Sequence, residues 1–491
     1  MIAVLLCTLL VGGALVARSD RVRAWLVLAA LVAAPVMLVV HIRDSEQLQT
    51  LRHHSGLAAV AVVLGAAVLV ALATLFARRP QLLPLAVAVT IPFRIPIAVA
   101  GSTSNLLLPL YLVVAAGTLA WALPRLRGGA PDGEDGAARR PGGLEWALAA
   151  ALVLYALQSA YGPGHDRALE NVVFFYVPFA LLFVLLARLR WTAQTLARTL
   201  AVLAGIAVVL AGIGYVEYAT RHVLLNPKVI ASNQLEDYFR VNSLFFDPNI
   251  YGRFLAIVLI LVVAWMLWEL RTRSVALGAV LCAFLFGGLV LTLSQSSFAA
   301  LLAGLAVLAA LRWSVRWTLL AGGVAVAAAV VAVALGTSAF DGGSRANEAT
   351  SGRQGLVEGG VRLFGERPLQ GWGSGSFARE YRRAEGVSAD RATSASHTIP
   401  VTVAAEQGIV GFAAYLALLA FALRRPFRRT RGSTAARAGV AAAFVGLVVH
   451  TLTYAAFLED PLTWALLGVG SALAATAAAP RAPAEREPEA A

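Results

Sequence analysis

The sequence predicts an all-α fold: a polytopic transmembrane bundle of about 12–15 helices with a long extracytoplasmic loop in its C-terminal third. Three observations carry that prediction. The 491 residues are 59% hydrophobic and only 14% charged, whereas an ordinary soluble domain has roughly a quarter of its residues charged. Apolar runs recur from end to end, each near the ~20 residues that a helix needs to cross a ~30 Å hydrocarbon core. Arginines also collect in alternate connecting loops, as they do on one side of a bilayer.

In order, the runs fall at 2–17, 24–41, 57–77, 81–99 and 106–123, then at 144–161, 171–187 and 197–218. They continue at 251–269, 275–293, 297–311 and 317–336, and finish at 398–423, 437–454 and 460–479. The first run lacks a basic start and a small-residue cleavage site, so it reads as a helix. The runs divide the chain into N-terminal helices (1–127), a Gly/Pro/Asp-rich cytoplasmic linker (128–143) and central helices (144–336) with an outer loop at 219–250. A large extracytoplasmic loop (337–396), C-terminal helices (397–479) and an Ala/Pro/Glu-rich tail read as disordered (480–491) follow.

The formal charge of +13 would suggest nucleic acid as a partner of a soluble protein. Here it reports topology. Arg18, Arg21 and Arg23, then Arg78 and Arg79, Arg125, Arg127, Arg139 and Arg140, Arg188 and Arg190, Arg271 and Arg273, Arg312 and Arg316, and Arg424 to Arg431 occupy one alternating set of loops. The positive-inside rule makes that set cytoplasmic. It leaves 219–250 and 337–396 together on the outer face. Cys7 and Cys282 both lie in apolar runs, so neither a disulfide framework nor a metal cluster can be read. No metal and no other cofactor is expected.

Chemistry-bearing residues sit at that outer face. Asp247 followed by Pro248 marks a helix start, whose free N–H groups favour an anion. Arg240, just before it, either grips a diphosphate through its planar fork or pairs with Glu236 or Asp237 in a solvated loop. Arg253, inside the helix, is expected to snorkel to the interface. Thr292-Leu293-Ser294-Gln295-Ser296-Ser297 forms a tight outer turn whose small hydroxyls let helices approach closely.

The long loop holds eight arginines and seven acids, so it exerts no broad field and its arginines act singly. In helical phase Arg353 shares a face with Val357, Val361 and Phe364, while Glu358 and Arg362 form an exposed pair. Arg379, Arg382 and Arg383 read as a solvated cluster. His397 stands where the loop meets the next run, with Ser396 placed to cap the helix. It suits proton transfer near neutral pH, or a boundary role. Glu406 is an intramembrane acid, a functional candidate that could also pair with a loop arginine.

Four pieces, in order, resemble the O-antigen ligase and polysaccharide polymerase superfamily of membrane glycosyltransferases. They are Arg240 with Pro248-Asn249-Ile250-Tyr251-Gly252; Leu293-Ser294-Gln295-Ser296; Ser351-Gly352-Arg353 with Pro368-Leu369-Gln370-Gly371-Trp372-Gly373-Ser374-Gly375; and His397 with Glu406-Gln407-Gly408-Ile409-Val410-Gly411. The resemblance covers residues 235–420. It departs from the family at Gln295, where arginine is common, at Thr398 after the histidine, where asparagine is common, and at Leu356 and Val357, where tryptophan is common.

The resemblance implies a fold related to the C-type glycosyltransferases. It also implies an inverting, metal-independent enzyme in the bacterial cytoplasmic membrane, acting on its outer face in cell-surface polysaccharide synthesis. The implied donor is a glycan on an undecaprenyl (polyprenyl) diphosphate, and the acceptor a hydroxyl of a glycan or glycolipid. Other polysaccharide assembly proteins are implied as further partners. Arg240 and Arg353 would hold the diphosphate, and His397 would position or deprotonate the acceptor hydroxyl. Asn249, Gln295 and Glu406 would contribute to substrate binding. Two other classes fit many spans and a cationic site: a transporter or flippase of lipid-linked sugars, and an inactive scaffold relative. The transporter would place its working charges near the bilayer midplane in broken helices.

Overall fold

The computed structural model describes residues 2–41, 55–93, 95–99, 102–128, 140–224, 229–230, 233, 238–316, 318, 353–386, 398–427 and 434–476. Most of the linker, most of the 317–336 run, both ends of the long loop and the C-terminal tail lie outside them. The described chain is almost entirely helical. Nine helices among the described residues are long and apolar enough to cross a membrane, and four shorter apolar helices accompany them.

The N-terminal part comprises α1 (Ile2–Val16), α2 (Asp20–His41), α3 (Ser55–Arg78), α4 (Leu82–Thr90), α5 (Leu108–Leu126) and α6 (Gly143–Gln158). Helix α1 packs on both α2 and α6, and α3 packs on α5. The expected run at 81–99 is not one helix. α4 stops at Thr90, and after Pro92 the chain forms a two-stranded antiparallel hairpin, Ile95–Val99 with Ser102–Leu106, pairing Ile97 with Ser104. Pro92 and Pro96 account for this, because proline removes a helical donor and disfavours helix in the residue before it.

Next come α7 (His165–Asn171), a π-helical turn (Val172–Tyr176) and α8 (Val177–Arg188), stacked end to end as one apolar rod. Pro178 in the first turn of α8 fits the change of winding. α8 is buried along almost its whole length, at the centre of the fold. α9 (Ala193–Thr220), α10 (Pro248–Trp268), α11 (Thr272–Leu291) and α12 (Gln295–Arg312) follow. α10 is the other central helix, packed between α11, α12 and the later α16 (Ala435–Thr451). It starts as the sequence predicts: Asp247 is the N-cap, its carboxylate accepting from the Asn249 amide at 2.6 Å, with Pro248 in the first turn.

Within the long loop, α13 (Arg353–Glu366) and α14 (Phe377–Glu385) pack on each other and on α15 (Ile399–Phe427). α17 (Pro461–Thr476) closes the fold against α8 and α16. The buried stripe of α13 is Leu356, Gly359, Gly360 and Leu363, while Val361 is exposed. It is therefore rotated from the expected Val357, Val361 and Phe364 face. The two glycines are the cause: α13 meets the Tyr381 ring at Gly359 and Val401 and Phe377 at Gly360, closer than any side chain would allow. Arg362 pairs across to Glu385 of α14.

Candidate active site

One end of the bundle gathers the starts of α7, α10, α12 and α15 and the ends of α6, α11 and α16. The described ends of the connection between α9 and α10 are pinned there by a side chain within α9. Glu217, 1% exposed, accepts from the backbone N–H of Leu224 (3.1 Å), Asn242 (3.2 Å) and Ser243 (2.7 Å). Ser243 can present its N–H this way because its backbone is left-handed, with φ 51°. That anchor delivers Arg240 to the mouth of the α11–α12 turn.

Arg240 is half-buried. Its Nε donates to the Thr292 carbonyl (2.9 Å) and its Nη2 to Asn249 Oδ1 (3.2 Å). Asn249 Oδ1 also accepts from Ser294 Oγ at 2.9 Å. One amide oxygen thus ties the arginine to the first turn of α10 and to the N-cap of α12. Ser294 caps α12 by accepting from the Ser297 amide, and Leu293 before it is held at φ 51°, a strained conformation for a non-glycine residue. Ser296 Oγ lies 3.1 Å from Nε2 of the fully buried His450, which brings in α16. Gly252 leaves room for the Ser297 hydroxyl, so the expectation of close packing through small hydroxyls holds. Gln295 is exposed at the same turn.

Arg253 corrects the expectation of a snorkelling side chain. It is fully buried, 2.6 Å from Asp460 Oδ2, and donates to the Ala456 carbonyl at 3.2 Å. A guanidinium facing inward from a membrane helix needs an anion, and the loop between α16 and α17 supplies one.

Glu406 forms a second cluster behind that loop. It is 7% exposed. Its two oxygens accept from the amides of Gly375 and Phe377, both at 2.9 Å. The segment 368–377 is laid along α15 as though it were an added strand. Trp372 N–H donates to Ala405 O (3.1 Å), Gly373 N–H to Glu406 O (2.7 Å) and Ile409 N–H to Pro368 O (2.8 Å). α15 frees those backbone groups by breaking at Gly408, where φ is 63° and ψ −164°. Gly371, at φ 70°, sits against the Glu406 carbonyl where a Cβ would collide. Gln158 donates to Gln407 O (2.9 Å), and the Tyr161 hydroxyl donates to Gln370 O, so α6 and its loop clasp the other side. Partial burial raises the Tyr161 phenol above its ordinary ionisation range, and the hydroxyl remains a donor.

Of the predicted residues, Arg240, Asn249 and the Ser294–Gln295 turn come together, and Glu406 belongs to the adjoining cluster. Arg353 is the first residue of α13, but its side chain lies outside the described residues, as do His397 and Ser396 entirely. Residues 280–416 match the family model described as O-antigen ligase. That segment is similar to O-antigen ligases. The ligase-related segment contains the α11–α12 turn, Arg353, the 368–377 segment, His397 and Glu406; Arg240 and Asn249 stand before it. No curated protein matches the chain.

Three participants escaped sequence reasoning. Glu217 and His450 sit one and four residues inside the ends of the apolar runs 197–218 and 437–454, where an ionisable side chain is itself a signal. Asn171, at the start of the 171–187 run, gave a weaker one. Arg379 and Arg383 are exposed as expected and Arg382 is half-buried; Arg379 and Arg382 also line a cavity beside Glu406.

Proposed function

We propose that the chain is an inverting, metal-independent glycosyltransferase of the ligase or polymerase type. It moves a glycan from a polyprenyl diphosphate carrier to a hydroxyl of a glycan or glycolipid acceptor on the outer face of the cytoplasmic membrane. The observation that carries this reading is the seat of Arg240, whose guanidinium is fixed at the N-terminus of α10 by Asn249 and the α11–α12 turn. A fixed fork of donors beside a helix N-terminus favours a diphosphate, and the ligase-related segment supplies the rest of the constellation.

In the reaction the acceptor oxygen attacks the anomeric carbon from the side opposite the diphosphate. The new C–O bond forms as the sugar–diphosphate bond breaks, inverting the anomeric configuration. Arg240 and Arg353 neutralise the leaving diphosphate, which is where negative charge develops. His397 takes the proton of the acceptor hydroxyl. The apolar helices accommodate the carrier tail.

The test uses purified protein in detergent with a polyprenyl-diphosphate-linked glycan, an acceptor glycan and EDTA. Wild type is expected to release free polyprenyl diphosphate, and His397→Ala to lose that activity by about a hundredfold or more. Donor binding by both proteins with turnover by neither would remove the transferase reading and favour transport or scaffolding.

A further inference from the structure

A cavity of about 620 Å³ opens between α7, the π turn, α14, α15 and the α16–α17 loop, distinct from the seat of Arg240. The two share a wall, because Ala456, whose carbonyl accepts from Arg253 of α10, lines the cavity. Ile399 and Thr402, in the first turns of α15, line it, and they follow His397 closely in the chain.

Its interior is largely aromatic: Tyr155, Phe175, Tyr176, Tyr415 and Phe457. Two of its lining residues carry a buried polar atom without a hydrogen-bond partner among the described residues: the Tyr415 hydroxyl and Asn171 Oδ1, the latter on a residue 8% exposed whose Nδ2 donates to the Tyr155 hydroxyl at 2.8 Å. A buried amide oxygen left unpaired costs free energy, so a ligand donor is the natural complement. Asn171 also stands at the junction with the π turn, a winding found often at functional sites. That turn directs Phe175 and Tyr176 into the same space.

The charges differ in how far they are already committed. Glu406 is occupied by two backbone N–H groups, and Glu459 accepts from the Tyr176 hydroxyl (3.0 Å) and the Phe457 amide (3.1 Å). Asp166 stands at the exposed rim, 3.4 Å from His41. Arg167, Arg379 and Arg382 each make one described hydrogen bond, to Glu170, Pro163 O and Ala378 O. A guanidinium carries five N–H donors, so the rim offers donors and the interior the Asn171 amide oxygen and the Tyr415 hydroxyl.

Resting on the glycosyltransferase reading, we infer that this cavity binds the acceptor as a saccharide bearing a carboxylate. Asn171 Oδ1 accepts from one of its hydroxyls, the aromatic wall covers its apolar face, and Arg379 and Arg382 hold its acid group. The volume suits one or two sugar units. The wall shared with the α10 cluster sets this acceptor beside the donor's diphosphate.

The probes are tri-galacturonate and the neutral maltotriose, titrated against the full chain in detergent by calorimetry. Wild type should bind the acidic probe at least about tenfold tighter than the neutral one. The double variant Arg379→Gln/Arg382→Gln, altered only at the rim, should lose that preference and keep the weaker neutral affinity. Asn171→Leu should weaken both probes with unchanged thermal stability. Equal affinity for the two probes, a preference that survives in the double variant, or no binding of either would overturn the inference. Release of polyprenyl diphosphate with neutral and acidic acceptors distinguishes the two failures. Turnover without discrimination leaves the transferase standing and removes the acidic acceptor, whereas no turnover with any acceptor removes both.

Discussion

Arg253 and Asp460 show how a single residue decides the geometry of this fold. Each is buried, and neither could remain so alone, because an ion stripped of water needs its counter-ion. Arg253→Met is expected to destabilise the protein by about 3–5 kcal/mol, since it strands the Asp460 carboxylate. Adding Asp460→Leu should restore much of that loss, because an apolar pair of similar volume leaves no uncompensated charge. Thermal unfolding in detergent reads the difference, and a double variant no more stable than the single would contradict the account. Asn249 works by the same economy, its one oxygen serving both Arg240 and Ser294. Neither partnership is visible in the sequence. Periodicity shows which way a residue faces but not which distant loop awaits it.

Among the elements, α15 is the one whose sequence and shape are hardest to separate. Its break at Gly408 leaves backbone groups that the 368–377 segment and Gln158 satisfy, and Gly371 allows that segment to approach. Gly408→Ala would therefore carry a backbone cost of about 1–3 kcal/mol and also drive a methyl group into the Leu369 carbonyl. The expected result is a lower melting temperature together with new protease cleavage within 368–377. Cleavage there without loss of stability would mean that segment and helix are not coupled. A broken helix is also what a transporter would show, but here the released groups are bonded to the protein's own chain rather than to a pathway. The motif Gly371-Trp372-Gly373 was legible as a motif, and its glycines as unusual; that they serve contact with a helix break was not. The face of α13 was misjudged for a related reason. Apolar periodicity counts side chains, and the closest contacts of α13 are made where side chains are missing.

At the scale of the whole molecule the chemistry and the arginines occupy opposite ends. Arg188, Arg271, Arg273, Arg312 and Arg424 mark the far ends of helices whose near ends carry Asn249, Ser294 and Glu459. On the proposed reading the positive-inside rule would direct Arg240 and the cavity outward. With Cys7 and Cys282 replaced by alanine, Arg379→Cys should react with a membrane-impermeant thiol reagent on intact cells and Arg273→Cys should not. The reverse labelling would invert the orientation. This level was the most legible one, because spans and their charged ends follow from composition alone. The short helix α4 with its hairpin and the π turn after Asn171 were not, since both depend on local backbone geometry inside apolar stretches.

The walls of the cavity come from three separate parts of the chain, 151–176, 375–418 and 455–459. Residues 155–176 supply Asn171 and most of the aromatic surface, well before the ligase-related segment begins at residue 280. On the proposed reading, the reaction and the choice of acceptor would then be written in different stretches of the gene. One stretch can drift as surface polysaccharides diversify while the other is held still, so relatives sharing a reaction need share little at the helix that reads the acceptor.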